Sequence, residues 1–348
     1  MSNLRKPQTT VSPPPVHPQP VPSEAASNRS ILTRMWPYVA IARPDHWVQN
    51  VLMVLGVLLA FFYHPELARK GAIGQIIWAV ATTCLIASSN YVLNEVLDAS
   101  TDRNHPVKRH RPVPSGQVIL SLAYTEWILL GAIGLAMASI LNWPFFFSSL
   151  FLLIMGLIYN VPPIRSKELP YLDVLTESIN NPIRLLLGWF AVTQAEVPPF
   201  SLLISFWMIG AFFMAAKRFA EYRFIANPET ASAYRPSFRY YDEQRLLISM
   251  FFYTTCFAFF LGVFIVRWHL ELIFIVPLVA GFISYYLYIS YKPESAAQSP
   301  ERLFQEKGLV TYLLICLCAF VVLMFVEIPM VYEVFKVPPS QIPPLWRF

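Results

Sequence analysis

Asn94, Asp98 and Asp102 recur at steps of four, with Glu95 one place after the first, so a helix would stack an amide and carboxylates along one face. Like charges at that spacing repel by about 0.2–0.5 kcal/mol per pair, and something must offset them. A hard divalent cation would, since Mg2+ characteristically binds one or two carboxylates while also holding substrate phosphates. Lys108, Arg109 and Arg111 follow directly, fixed between Pro106 and Pro112. Acids followed by bases suit a metal-bound diphosphate, with the metal taking some oxygens and the cations the rest. His105 could contact phosphate or pack in a turn beside Pro106, and His110 reads as surface. The competing reading is a solvated loop whose acids pair with Arg103, Lys108 and Arg109.

A second constellation runs from Tyr159 to Arg184. Asp173, Glu177, Asn180 or Asn181, and Arg184 fall at steps of three to four, which makes one polar face on an apolar helix. Each charge at the centre of a membrane helix costs about 2.5–3.5 kcal/mol, so the stripe must face a polar cavity or bond to another helix. Arg165 and Lys167 lie in the preceding loop, and Pro182 should bend the helix. A third cluster pairs Lys217 with Glu221 at i, i+4 and Arg218 with Glu221 at i, i+3. It reads as part of a site or as an anchor in the inner leaflet. The loop that follows, with Arg235, Ser237, Tyr240 and Tyr241, could cap a site or sit on lipid headgroups.

The elements that must position these residues are membrane helices. The chain of 348 residues is 56% hydrophobic and only 14% charged, and apolar runs of about 20 residues recur along it. Nine are expected, near 47–63, 72–93, 118–141, 143–161, 171–192, 202–216, 247–266, 270–289 and 309–326. They lack the period-two alternation of a barrel, so the fold class is all-α, a polytopic bundle of about nine transmembrane helices. Residues 1–30, with seven prolines, are expected to be a disordered cytoplasmic tail; 31–334 form the catalytic domain and 335–348 a short C-terminal tail.

Lys and Arg set the orientation. An inside N-terminus puts Arg103, Lys108, Arg165, Lys217, Arg235, Lys292 and Lys307 in the cytoplasm and leaves few basic residues outside, so the charged stretches face the cytoplasm, as in a bacterial inner membrane. The net charge of +5 follows from this topology, and the basic residues are too scattered among short loops for nucleic acid. The four cysteines all lie in apolar helices and read as small buried hydrophobes.

Asn94-Glu95-x-x-Asp98-x-x-x-Asp102 resembles the NDxxDxxxD motif of the UbiA superfamily of intramembrane prenyltransferases, with Glu95 where the motif has Asp. The resemblance spans nearly the whole chain after Ile31. Three features resemble the branch that transfers phosphoribose from phosphoribosyl diphosphate to a polyprenyl phosphate. They are Arg43-Pro44-x-x-Trp47-x-x-Asn50, the run from His105 to Pro112, and Lys217-Arg218-x-Ala220-Glu221. The resemblance implies a UbiA-like fold, Mg2+ on Glu95, Asp98 and Asp102, and catalysis by Asp98, Asp102 and Asp173. It also implies substrate contacts from Asn94, Lys108, Arg109, Arg111, Tyr159, Lys167, Arg184, Lys217 and Glu221. The partners implied are a polyprenyl lipid and a phosphorylated donor in the bilayer.

Two other functions fit some of the same residues. Asp173-x-x-x-Glu177 also resembles the second acidic motif of prenyltransferases that alkylate aromatic acceptors. Polar stripes in membrane helices also mark transporters, but a carrier places its site near the midplane, whereas here the charge lies at the cytoplasmic ends.

Overall fold

The computed structural model describes residues 31–338 apart from 69–70, 104–107, 195, 226, 299 and 304. The Pro-rich tail, His105 with Pro106, and 339–348 lie outside the described residues. Fourteen α-helices are present among them: α1 Ile31–Ile41, α2 Leu52–Tyr63, α3 Ala72–Asp102, α4 Leu120–Leu141, α5 Trp143–Asn160, α6 Leu172–Ser178, α7 Asn180–Phe190, α8 Phe200–Ile225, α9 Pro228–Tyr234, α10 Glu243–Trp268, α11 Val276–Ser290, α12 Pro300–Leu303, α13 Lys307–Phe325 and α14 Pro329–Phe335.

Eight stretches among the described residues are long and apolar enough to cross a bilayer. Their outer faces are apolar and bare, as on α10, where Phe251, Phe252 and Phe259 are all exposed. Such surface is stable only against lipid. The ninth expected span, 171–192, is the pair α6–α7, interrupted at Ile179. Pro182 supplies no N–H to the carbonyl four residues earlier, at Ser178, so the helix breaks one turn before the proline.

α3 decides where the chemistry sits. Its 31 residues, at 1.5 Å each, reach about 46 Å, longer than the hydrocarbon core of about 30 Å. The helix therefore runs past Leu93 and carries Asn94–Asp102 to one end of the bundle. α7 is fixed against α2 by close backbone approach: a Cβ on Gly188 would lie 1.9 Å from the Met53 carbonyl oxygen, and one on Gly56 would lie 2.0 Å from that of Leu185. Only glycine permits such contact, as at other small-residue helix crossings in membranes.

Candidate active site

The acids of α3 are tied to the far end of α5 and the turn after it. Asp98 accepts from Arg165 at 2.9 Å and from Lys167 at 2.5 Å. Asn94 donates to the Asn160 side-chain oxygen at 2.7 Å, and the same oxygen accepts from Lys167 at 2.9 Å. Asp102 accepts from Arg111 at 2.7 Å, with the Lys108 ammonium 3.9 Å away. Of the basic run that follows the acids, Lys108 and Arg111 thus meet Asp102 directly.

Glu95 faces elsewhere. It is buried, 3.5 Å from Arg43, and accepts from the Val113 backbone N–H at 3.2 Å. Arg43 and Arg165, which reach this motif from two different loops, both hold left-handed backbone, at φ 50° and 35°. That conformation costs a non-glycine residue on the order of 1–3 kcal/mol and tends to persist where surrounding structure over-determines it.

Arg218 is the centre of a second cluster. It projects from the buried stripe of α8 that includes Ala211 and Ala215. Its Nε donates to Asp173 at 3.2 Å, one terminal nitrogen to Glu221 at 3.1 Å and the other to Glu177 at 3.2 Å. Asp173, wholly buried, also accepts from the hydroxyls of Tyr241 at 2.8 Å and Ser237 at 3.3 Å, with Arg235 at 3.7 Å. The 235–242 loop therefore caps the cluster, and Asp242 fixes the loop's end by accepting the Arg245 N–H at the start of α10.

Tyr159 joins the two clusters. Its hydroxyl donates to Glu177 at 2.9 Å, and the Lys167 ammonium lies 6.0 Å from its ring centroid. Burial pushes Lys167 below the ordinary lysine value, and Asp98 only partly restores it. Lys108 is lowered in the same way, with Asp102 opposing. Burial, and then Asp173, pushes the Tyr241 hydroxyl up, so it stays a donor.

The site residues read from sequence divide accordingly. Asn94, Asp98, Asp102, Lys108, Arg111 and Lys167 come together around the end of α3, and Tyr159, Asp173 and Glu221 around Arg218. Lys217 has no carboxylate within ion-pair distance among the described residues, although Glu177 and Glu221 feel its charge. The alternative pairing of Lys217 with Glu221 gives way to Arg218, because Arg218 points inward. Arg109 is not brought to the acids: it is exposed and donates to His110. Arg184 is buried deeper, on Asn50.

Sequence reasoning missed Arg43 and Asn160 as contacts and did not single out Arg218. The signal for Arg218 was present in its phase with the small residues of α8. Among the described residues no three His, Cys, Asp or Glu side chains converge to cage a metal. Asp98 and Asp102, one helical turn apart, still offer the one or two carboxylates that Mg2+ takes when phosphates complete its shell. The donor set fits a cation that arrives with a diphosphate. Glu95, one place off the face of Asp98 and Asp102, is held by Arg43 and the Val113 N–H.

The chain is 31% identical over 209 residues to the decaprenyl-phosphate phosphoribosyltransferase of Mycobacterium tuberculosis, covering 60% of this chain and 67% of that protein. It is 30% identical over 198 residues to the protoheme IX farnesyltransferase of Pseudomonas savastanoi pv. phaseolicola, covering 55% and 64%. A solved UbiA homologue from Archaeoglobus fulgidus, bound to GPP and Mg2+, superposes with a TM-score of 0.63 at 22% identity, over 82% of this chain and 99% of that one. Residues 50–308 match the UbiA prenyltransferase family, and with that match over most of its length this chain, an all-helical multi-pass membrane transferase, belongs to the family.

Proposed function

We propose that this protein transfers phosphoribose from phosphoribosyl diphosphate to a polyprenyl phosphate, on the cytoplasmic face of a bacterial inner membrane. The observation that carries the reading is the second charged cluster. Asp98, Asp102 and the bases around them already match a metal-bound diphosphate, yet Arg218, Arg235, Lys217 and three carboxylates stand beside them, joined through Tyr159. An allylic donor has only a diphosphate and a greasy tail: it could share Asp173 and Glu177, but it offers no second anion for Lys217 and no hydroxyls for Glu221. A phosphoribosyl donor has a 5-phosphate for Lys217 and ribose hydroxyls for Glu221. The mycobacterial relative supports the same direction.

In this reading Asp98 and Asp102 would hold Mg2+, which would supply screening of charge on a departing diphosphate. Lys108, Arg111 and Lys167 stabilise the same charge, worth most where water is excluded. Asn94 and Asn160 position Lys167. Asp173 fixes Arg218 and, through Tyr241, closes the cap. The asymmetry of Lys and Arg supports the orientation.

A second reading, prenylation of an aromatic acid, is favoured by the farnesyltransferase relative. Binding separates the two. Phosphoribosyl diphosphate should compete with inorganic diphosphate for the purified protein with Mg2+ about ten- to a hundredfold more tightly, the worth of one or more charge-assisted contacts. Lys217→Ala should remove most of that advantage. Equal affinity for the two anions, with tight binding of an allylic diphosphate, contradicts the proposal and favours the second reading.

A further inference from the structure

Arg184 stands apart from both acid clusters. It lies seven residues beyond Glu177 along the α6–α7 run, about 10 Å further at helical rise, on the membrane side of the acids. It is only 7% exposed, and no carboxylate of the described residues lies within ion-pair distance. Its Nε donates to the Asn50 side-chain oxygen at 3.0 Å, and the Asn50 amide in turn donates to Cys84 Sγ at 3.2 Å. The Tyr91 hydroxyl is its other polar neighbour, and that hydroxyl gives its own proton to Gln49 at 3.1 Å.

The guanidinium has five N–H donors, and two neutral oxygens cannot occupy them. A full charge held among neutral groups at this depth costs several kcal/mol, and the rule for such cations is that an anion or a polar cavity stands opposite. Neither is supplied by the described residues. The position is rigid, because the Gly56 and Gly188 contacts clamp α7 on α2 in the turn that follows it. It also adjoins the reaction: Tyr91 lies one turn before Asn94 and Glu95 on α3, so the Arg184 site approaches the acid motif from its membrane-embedded side.

We propose that Arg184, with Asn50 and Tyr91, binds the terminal phosphate of the lipid acceptor and presents it to the donor; the identity of the acceptor rests on the phosphoribosyl-transfer reading. One phosphate oxygen forms a bond to ribose C1 as the bond from C1 to the diphosphate oxygen breaks. The diphosphate leaves with the electron pair. The acceptor attacks as a dianion and becomes a monoanionic diester, so no base is required. Arg184 holds the oxygens that do not react.

Asn50→Asp tests this without removing the arginine. It places a carboxylate where an amide oxygen already accepts from Arg184, which preserves the packing and cancels the charge. Labelled polyprenyl phosphate should bind the wild-type protein in nanodiscs at least about tenfold more tightly than uncharged polyprenol, as one charge-assisted contact allows. The preference should vanish in Asn50→Asp and Arg184→Gln and persist in part in Arg184→Lys. In turnover, Asn50→Asp should raise KM for the lipid phosphate by a similar factor and leave KM for the donor within about twofold.

Wild-type protein without the preference overturns the subsite. So does transfer by Asn50→Asp with an unchanged acceptor KM, which would leave Arg184 as a helix-packing residue and the transfer reading intact. A preference that Asn50→Asp abolishes, in a protein that transfers no phosphoribose, upholds the phosphate subsite and sinks the transfer reading instead.

Discussion

Replacing Arg218 with glutamine leaves Asp173, Glu177 and Glu221 facing one another with their shared partner gone. The arginine side chain is 1% exposed and Asp173 0%, so water cannot take its place. Glu177 is 37% exposed and rehydrates, which discounts its share, whereas Glu221, at 12%, does not. Breaking a buried pair by removing one partner costs about 3–5 kcal/mol. Asp173 keeps Tyr241, Ser237 and Arg235, so the loss should fall near the lower end, about 3 kcal/mol, or about 150-fold in the folding equilibrium.

Reversible unfolding in mixed micelles would measure it, with turnover followed in parallel. Arg218→Lys should recover only part, since one ammonium cannot reach three carboxylates that now each take a separate nitrogen. Asp173→Asn combined with Arg218→Gln should be more stable than Arg218→Gln alone, because one stranded charge is gone. An Arg218→Gln protein with wild-type stability, or a double variant no better than the single one, would refute the hub.

Asp98→Ala and Asp102→Ala should each abolish turnover while the protein remains folded in the membrane, and excess chelator should do the same to the wild type; full activity in either experiment removes the metal from the account. Lys108→Ala and Arg111→Ala should each raise the donor KM about tenfold or more, whereas Arg109→Ala, whose side chain faces His110, should not. Steady-state kinetics at fixed lipid phosphate would decide this. Lys167 and Lys108 are both lowered by burial, so their charge is lost as pH rises, and at a lower pH than the ordinary lysine value of 10.5. Donor affinity should therefore fall on the alkaline side below that value, and Lys108→Arg with Lys167→Arg should move the fall upward; an unchanged profile would free both lysines from donor binding.

The spans were legible because an apolar run of about 20 residues has few other uses, and the Asn94–Asp102 motif because a four-residue step names a helix face. The extent of α3 was open, since charges mark where a helix leaves lipid and do not mark where it stops. The break in 171–192 was expected at Pro182 but falls at Ile179, just after the Ser178 carbonyl that the missing Pro182 N–H leaves without its helical donor. Lys217 and Arg218 are alike in composition, and only the stripe of alanines at 211 and 215 tells which one turns inward. The roles of Ser237 and Tyr241 depend on contacts 64 and 68 residues apart in sequence, for which no local pattern exists. Glu95 is a ligand only by the resemblance, and its pairing with Arg43 is equally non-local.

The central claim is the donor. Membranes containing the protein, supplied with Mg2+, would be offered labelled phosphoribosyl diphosphate with polyprenyl phosphate and, separately, an allylic diphosphate with 4-hydroxybenzoate, and the lipid products would be weighed by mass spectrometry. A polyprenyl phosphate heavier by one ribose 5-phosphate unit, formed in the first mixture and lost in Asp98→Ala, is the expected result. A prenylated aromatic acid in the second mixture, with no ribosylated lipid in the first, would contradict it.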